Sequence, residues 1–345
     1  MSSDLRSKFV GCILGQALGD ALGYPVEGCD EQQCMLHVKR NIQSWFAGET
    51  PPVYQWSGQY TDDTQLAREL LISLVENKGF DASDYAQRIA GLFRDRLVVG
   101  RGIATADAAD RLIAGVDWKD SGCPPPDAGN GTAMRAAPVG LFYLNHESEV
   151  IETAHLQGWI THQDPRCSVG SIAIAGAVAL AVKNEWVGAD DYLERLFEMT
   201  RGYRCKFADY FLRLIDSLKL PPSDALGQIQ SAGVAIGYVS TWPGISPFVI
   251  PSVLWSLYSF LSSPDSFHDA ICTSIAVGGD VDTTAAMTGA IAGAHLGVES
   301  LPGHLLPRIN DNGSWGHSEL SDLATRCYEL AVADRSPTSQ IPPVD

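Results

Sequence analysis

The chain has 345 residues, 45% hydrophobic and 19% charged, with 33 glycines and 19 prolines along its length. That composition excludes bulk disorder and allows a sizeable core in one large domain or two. Against 24 Lys and Arg stand 41 Asp and Glu, a net charge of −17, which repels phosphate backbones and anionic headgroups and argues against a nucleic-acid or membrane partner.

In chain order, Leu5, Phe9, Val10, Ile13, Leu14, Ala17, Leu18, Ala21 and Leu22 recur at helical spacing, and the stripe ends at Gly23 and Pro25. The start resembles a signal peptide only in passing, because Asp20 and Glu27 follow at once. An irregular stretch of 24–60 comes next, long enough to be a functional loop, as is 115–131. Helical periodicity then predicts helices near 63–78, 83–98, 132–144, 148–160, 166–184, 190–200, 206–218, 251–262, 266–276 and 284–297, with a last stripe from Leu320 to Ala331. SIAIAGAVALAV and AAMTGAIAGAHLG are apolar all round and rich in small residues, as befits helices of a buried central layer. The longest uncharged apolar run, Ser171 to Val182, falls short of the about 20 residues that span a bilayer. Almost nothing reads as a strand. The pattern predicts an all-α, compact, many-helix single domain over 1–334, followed by a flexible tail at 335–345 (RSPTSQIPPVD). Eight cysteines occur singly without zinc spacing, as free thiols do in a reducing compartment, and a cytoplasmic location is expected.

Two acidic clusters stand at predicted helix starts. Thr61, Asp62, Asp63, Thr64 and Gln65 (TDDTQ) open the helix of 63–78, and Gly278 to Thr284 (GGDVDTT) precede that of 284–297. Either can be read as an N-cap, since Thr and Asp oxygens accept orphan amide hydrogens. One cap needs one oxygen, however, and here each start carries two carboxylates, with Asp280 and Asp282 expected on an extended loop. If the two starts meet, four carboxylates share a small volume, which is unfavourable unless neutralised. The all-oxygen donor set matches Mg²⁺ or Mn²⁺, not zinc. Glu27 reads as a loop glutamate. Gly129, Asn130, Gly131, Thr132, Ala133, Met134 and Arg135 (GNGTAMR) read either as an ordinary turn into a helix or as a backbone cradle for a phosphate.

Taken in order, GQALGDALGYPVEG, TDDTQ, the RG at Arg101, GNGTAMR, THQDP from Thr161 to Pro165, and GGDVDTT resemble the ADP-ribosylglycohydrolase family along nearly the whole chain. The resemblance implies an all-α fold with two divalent cations, Mg²⁺ or Mn²⁺, in a central dinuclear cleft. It implies Thr61, Asp62, Asp63, Asp280, Asp282 and Thr283 as metal ligands. Glu27 would lie on a loop closing over metals and ribose, with Gly129, Asn130, Gly131 and Thr132 against the diphosphate and His162 beside it as a donor. Five acids against two dications leave the site near −1, so backbone amides and His162 must help hold a diphosphate.

The resulting expectation is a metal-dependent, monomeric hydrolase acting on an ADP-ribosylated protein or a small ADP-ribose conjugate. Arginine-linked ADP-ribose is the first expected substrate, serine-linked the second and O-acetyl-ADP-ribose the third. Asp280 or Asp282 is favoured for proton transfer over Asp62 and Glu27. The loops around Trp56 and Trp118 are expected to line the entrance, with the two indoles themselves read as packing residues rather than substrate platforms. Two rivals are a dinuclear phosphoesterase splitting a nucleotide diphosphate and a catalytically inactive ADP-ribose-binding protein.

Overall fold

The computed structural model describes residues 2–203, 205–235 and 240–333. The predicted tail at 335–345 lies outside them. The described residues form helices joined by loops, with isolated bridges and no strand. The first elements are α1 (Ser2–Gly23), α2 (Glu31–His37), α3 (Gln43–Phe46), α4 (Asp62–Asn77), α5 (Ala82–Arg94) and α6 (Ile103–Ile113). They are followed by α7 (Ala137–Phe142), α8 (Glu147–Trp159), α9 (Pro165–Lys183), α10 (Gly188–Thr200) and α11 (Asp209–Ser217). The chain closes with α12 (Pro222–Gln230), α13 (Val249–Leu261), α14 (Phe267–Ile275), α15 (Val281–Leu296) and α16 (His317–Val332).

The all-α expectation holds, with local corrections. Residues 31–46 are helical rather than irregular, opened by a capping box in which Asp30 accepts from the Gln33 amide and Gln33 returns the bond, and continued through a π turn at Val38–Ile42. Helices α6 and α12 were not expected. The helix predicted over 83–98 stops at Arg94, because Arg96 turns into left-handed backbone at φ 56°. That predicted over 132–144 is only α7, preceded by a 3₁₀ turn at Asn130–Thr132.

The centre of the molecule is the antiparallel pair α1 and α15. Gly11, Gly15 and Gly19 on α1 face Gly293, Gly289 and Ala285 on α15, and a Cβ at any of the three would fall on the facing backbone carbonyl. A four-residue repeat of small side chains keeps them on one helix face, so the backbones touch along three turns. Gly23 continues the register against the Asp282 backbone, so this packing brings the end of α1 to the start of α15. Helix α9, whose side chains are nearly all buried, packs on α15, α7, α8, α10 and α13. Helices α1 and α9 have the length and apolar composition of membrane spans, but 83% of each span is buried inside the fold, as core helices are.

Candidate active site

Thr61 is the extended residue before α4, yet none of the side chains of Thr61, Asp62 or Asp63 caps that helix. The cap comes from α1. Asp20, fully buried, accepts the Thr61 amide at 2.9 Å, the Thr64 amide at 3.1 Å and the Thr64 hydroxyl at 2.6 Å. The Thr61 hydroxyl stands 3.0 Å from both Asp20 Oδ1 and Asp63 Oδ2 and donates to one at a time. With the orphan amides satisfied from outside, Asp62 and Asp63 turn into a cavity instead of back onto their own helix. The Asp62 amide donates to Val99 O, and the Gly102 amide donates to the Asp62 carboxylate.

At α15, Asp280 occupies the cap position without accepting from the helix amides, and Asp282 lies inside the first turn rather than on an extended loop. The two glycines before them explain the geometry. Gly278 and Gly279 both have positive φ, 76° and 89°, and a Cβ on Gly278 would strike the backbone of 29–31, one on Gly279 that of Pro243 and Ile245. Backbone bonds from Gly28 to Gly279 and from Gly279 to Cys29 tie the Glu27 loop to this turn, and Asp280 donates its amide to Ile245 O. Glu27 thus leans over the cleft, where one carboxylate oxygen from each of Glu27, Asp280 and Asp282 lies within 4.8 Å of the others.

The two helix starts meet. The Thr283 hydroxyl donates to Asp63 Oδ2 at 3.3 Å across 220 positions of sequence. Glu27, Asp62, Asp63, Asp280, Asp282 and Thr283 line one cavity of about 490 Å³, and none of them has a cationic partner among the described residues. Burial, then mutual repulsion with Asp20 and with one another, drives Asp62, Asp63 and Asp282 well above the carboxylate range. Burial lifts Asp280 to about 6 despite its Asn130 bond, and Asp20 to about 7 despite its four hydrogen bonds. Burial likewise raises Glu27, opposed by a hydrogen bond with Asp282. Asp63 Oδ1 is buried without any partner. An orphaned carboxylate oxygen within an all-oxygen cluster is what a hard divalent cation would satisfy, and the residues fit such a group.

Opposite the acids lies the glycine-rich turn. Gly129, Asn130 and Gly131 line the cavity together with His162, whose ring packs against both glycines. Asn130 departs from its expected place against a diphosphate: its amide donates to Pro247 O, and its side chain donates to Asp280 Oδ2 at 2.5 Å and Ser252 Oγ at 2.7 Å. Asn130 therefore holds a carboxylate. The Thr132 hydroxyl also turns away, donating to Cys167 O at 2.8 Å. Burial, then the nearby Arg135, pushes His162 down to about 3, so it is a neutral imidazole. Asp164 caps α9 and pairs with Arg166, and Gln163 bonds Lys119 O, so neither belongs to the cleft.

The entrance differs from expectation. Trp56 is buried and donates to Ala21 O, and Trp118 lies in a separate groove beside Leu112. The wall is formed by 100–105, Pro247 and Trp242, with exposed Asp107 and Asp127 beside Glu27. Sequence reasoning missed Asp20, Ser252 and Trp242. Only Asp20 left a signal, as the one acid in the otherwise small and apolar GQALGDALG helix.

A family model described as ADP-ribosylglycohydrolase matches residues 1–337. The ADP-ribosylhydrolase ARH3 of Danio rerio is 29% identical, over 94% of this chain and 91% of that protein. That of Bos taurus is 31% identical over 86% and 87%. The ADP-ribosyl-[dinitrogen reductase] glycohydrolase of Rhodospirillum rubrum is 25% identical over 89% and 91%. A solved structure described as an ADP-ribosylglycohydrolase-related protein complex superposes with a TM-score of 0.65 at 26% identity, over 96% of this chain and 100% of the other.

Proposed function

The chain belongs to the ADP-ribosylglycohydrolase family, and on that premise we propose that it hydrolyses the bond between the anomeric carbon of ADP-ribose and an acceptor side chain, using two divalent cations, Mg²⁺ or Mn²⁺. The observation that carries this reading is the meeting of two acid-bearing helix starts across the Thr283–Asp63 bond, with no ion pair from the described residues to any of these acids although Arg101 lines the same cavity. Thr61, Asp62 and Asp63 from one start, and Asp280, Asp282 and Thr283 from the other, are the residues that would hold the ions. Bound there, such ions supply Lewis-acid stabilisation and lower the pKa of water.

This chain's own residues account for the remaining roles. The Gly129–Gly131 turn, lacking side chains at either end, lets a diphosphate approach the backbone, and His162 donates to it. Asp280 is oriented by Asn130, which Ser252 holds in turn, and is the better-placed proton acceptor for the attacking water, with Asp282 the second choice. Glu27 closes the mouth above the ribose. Glu27, Asp107 and Asp127 outweigh Arg101, the cation on the same wall, and leave that mouth acidic, which suits a guanidinium leaving group and favours arginine-linked ADP-ribose over a serine linkage.

The test is incubation with arginine-linked, serine-linked and O-acetyl-ADP-ribose, with Mg²⁺ or Mn²⁺, after chelation, and after metal is restored. Intact ADP-ribose is the expected product, released fastest from arginine, lost with chelator and regained with metal. Release of AMP would make the protein a phosphoesterase, and ADP-ribose binding without turnover would make it a binding protein. Undiminished turnover in excess chelator would remove the metal from the mechanism.

A further inference from the structure

The fold contains a buried guanidinium that no carboxylate hydrogen-bonds, Asp62 acting on it only through space. Arg135, at the end of GNGTAMR, is fully buried. Its Nε donates to Gln157 Oε1 at 2.7 Å, and its Nη2 donates to Gln157 O and Thr161 Oγ1, each at 2.8 Å. Its guanidinium lies 5.5 Å from the Tyr85 ring centroid, and Nη1 has no partner. Among the described residues no carboxylate pairs with it. A guanidinium held out of water on neutral acceptors alone is costly, so what it does to those acceptors matters.

A guanidinium only donates, so Thr161 Oγ1 accepts from Arg135 and keeps one hydroxyl proton to give. Two acceptors are in reach. Gly158 O, at 3.4 Å, already takes the amides of Thr161 and His162, each at 3.0 Å. His162 Nδ1 lies at 2.9 Å and has no other donor. The nearer and unoccupied acceptor is the ring nitrogen, and a neutral imidazole that accepts at Nδ1 carries its proton on Nε2. The positive charge behind Thr161 opposes a second proton on the ring. Nε2 faces the two glycines: a Cβ on Gly129 would come within 3.3 Å of it and one on Gly131 within 3.5 Å. With neither present, Nε2 opens onto the cavity and has no protein acceptor among the described residues.

We infer that Arg135 and Thr161 are positioning residues that lock His162 in the Nε2–H tautomer, so that the ring presents a single donor to the diphosphate between Gly129 and Gly131. The diphosphate part of this inference rests on the proposed function; the tautomer does not.

The experiment is two-bond ¹H–¹⁵N correlation on protein carrying ¹⁵N-histidine, with His162 assigned by loss of its signals in His162→Asn, together with calorimetric titration of ADP-ribose into the metal-loaded protein. The parent is expected to show His162 protonated at Nε2. Thr161→Val is expected to lose that fixed tautomer and to bind ADP-ribose about tenfold more weakly, and Thr161→Ser to restore both. An Nδ1–H tautomer in the parent overturns the inference, as does a Thr161→Val protein with the parent's tautomer and affinity. The parent spectrum can overturn the inference even if Thr161→Val does not fold, and Thr161→Ala, which also removes the hydroxyl, then takes its place. A parent that shows the Nε2–H tautomer but does not bind ADP-ribose would refute the proposed function while leaving the relay intact.

Discussion

Asp20 lies outside the set of acids that line the cleft, yet it governs how two of them point. Its two oxygens satisfy the Thr61 and Thr64 amides and the Thr64 hydroxyl, contacts that the side chains of the TDDT turn would otherwise compete to make. Replacing it with asparagine leaves one acceptor oxygen and sets an NH₂ group against donors. Asp20→Asn is therefore expected to lose about 2–4 kcal/mol of stability, and to lose most of the rise in melting temperature that Mn²⁺ produces in the parent, because Asp62 and Asp63 become free to cap α4. Thermal unfolding with and without Mn²⁺ checks this; an Mn²⁺-dependent rise equal to the parent's would show that the α4 start keeps its geometry unaided. The residue also shows where sequence reading stops. TDDT and GDVDT announce themselves because each places two acids at a helix start. A lone acid on an apolar helix carries no mark of the turn it serves 41 positions later.

At the scale of elements, the helices were legible wherever an apolar stripe runs on, as in α1, α4 and α16, or where the segment is apolar all round, as in α9 and α15, because such surfaces must be buried. Helix α6 was missed because its buried face is made of the small Thr105, Ala108 and Ala109 rather than of large apolar side chains, and the helical part of 24–60 because its Asp30–Gln33 capping box opens a short amphipathic segment with exposed Met35 and Leu36. The small residues of α1 and α15 were read as interior positions, but not as each other's partners. Their register positions the site, since one turn of slip would carry Asp20 away from Thr61 and Gly23 away from Asp282. Gly19→Ala puts a methyl group onto the Ala285 carbonyl, backbone that cannot rotate aside. The expected cost is about 1–3 kcal/mol, with ADP-ribose hydrolysis falling further than the loss of folded protein explains. Gly303→Ala, at a glycine with nothing within 4 Å, serves as the control. Denaturant melts and specific activity of both variants check the pair, and a Gly19→Ala protein as stable and active as the control would show that the two helices can separate without consequence.

Across the whole molecule, the acidic cluster couples stability to pH and to cations. A carboxyl held above its unfolded value binds its proton more tightly in the fold than in the open chain. Its contribution to stability is therefore largest at low pH and is lost as pH climbs from the ordinary carboxylate range through the folded value, about 6 for Asp280 and about 7 for Asp20. Asp62, Asp63 and Asp282, raised higher still, extend the loss upward. The buried His37 and His162 and the half-buried His155 and His295 act with the opposite sign: loss of solvation keeps each below its ordinary value, so stability is lost as pH falls below about 6.5. A simple pH profile would mix the two slopes. They separate when each pH is measured twice, with chelator and with excess Mg²⁺ or Mn²⁺, because the histidines contribute equally to both arms and only the carboxylates exchange protons for cations. The melting-temperature difference between the arms is expected to be small at pH 5 and to widen steadily to pH 8. Scanning calorimetry across that range checks it. A difference that stays flat would mean that the cations bind elsewhere on this acidic surface, and that repulsion among the cleft carboxylates is relieved by their own protons.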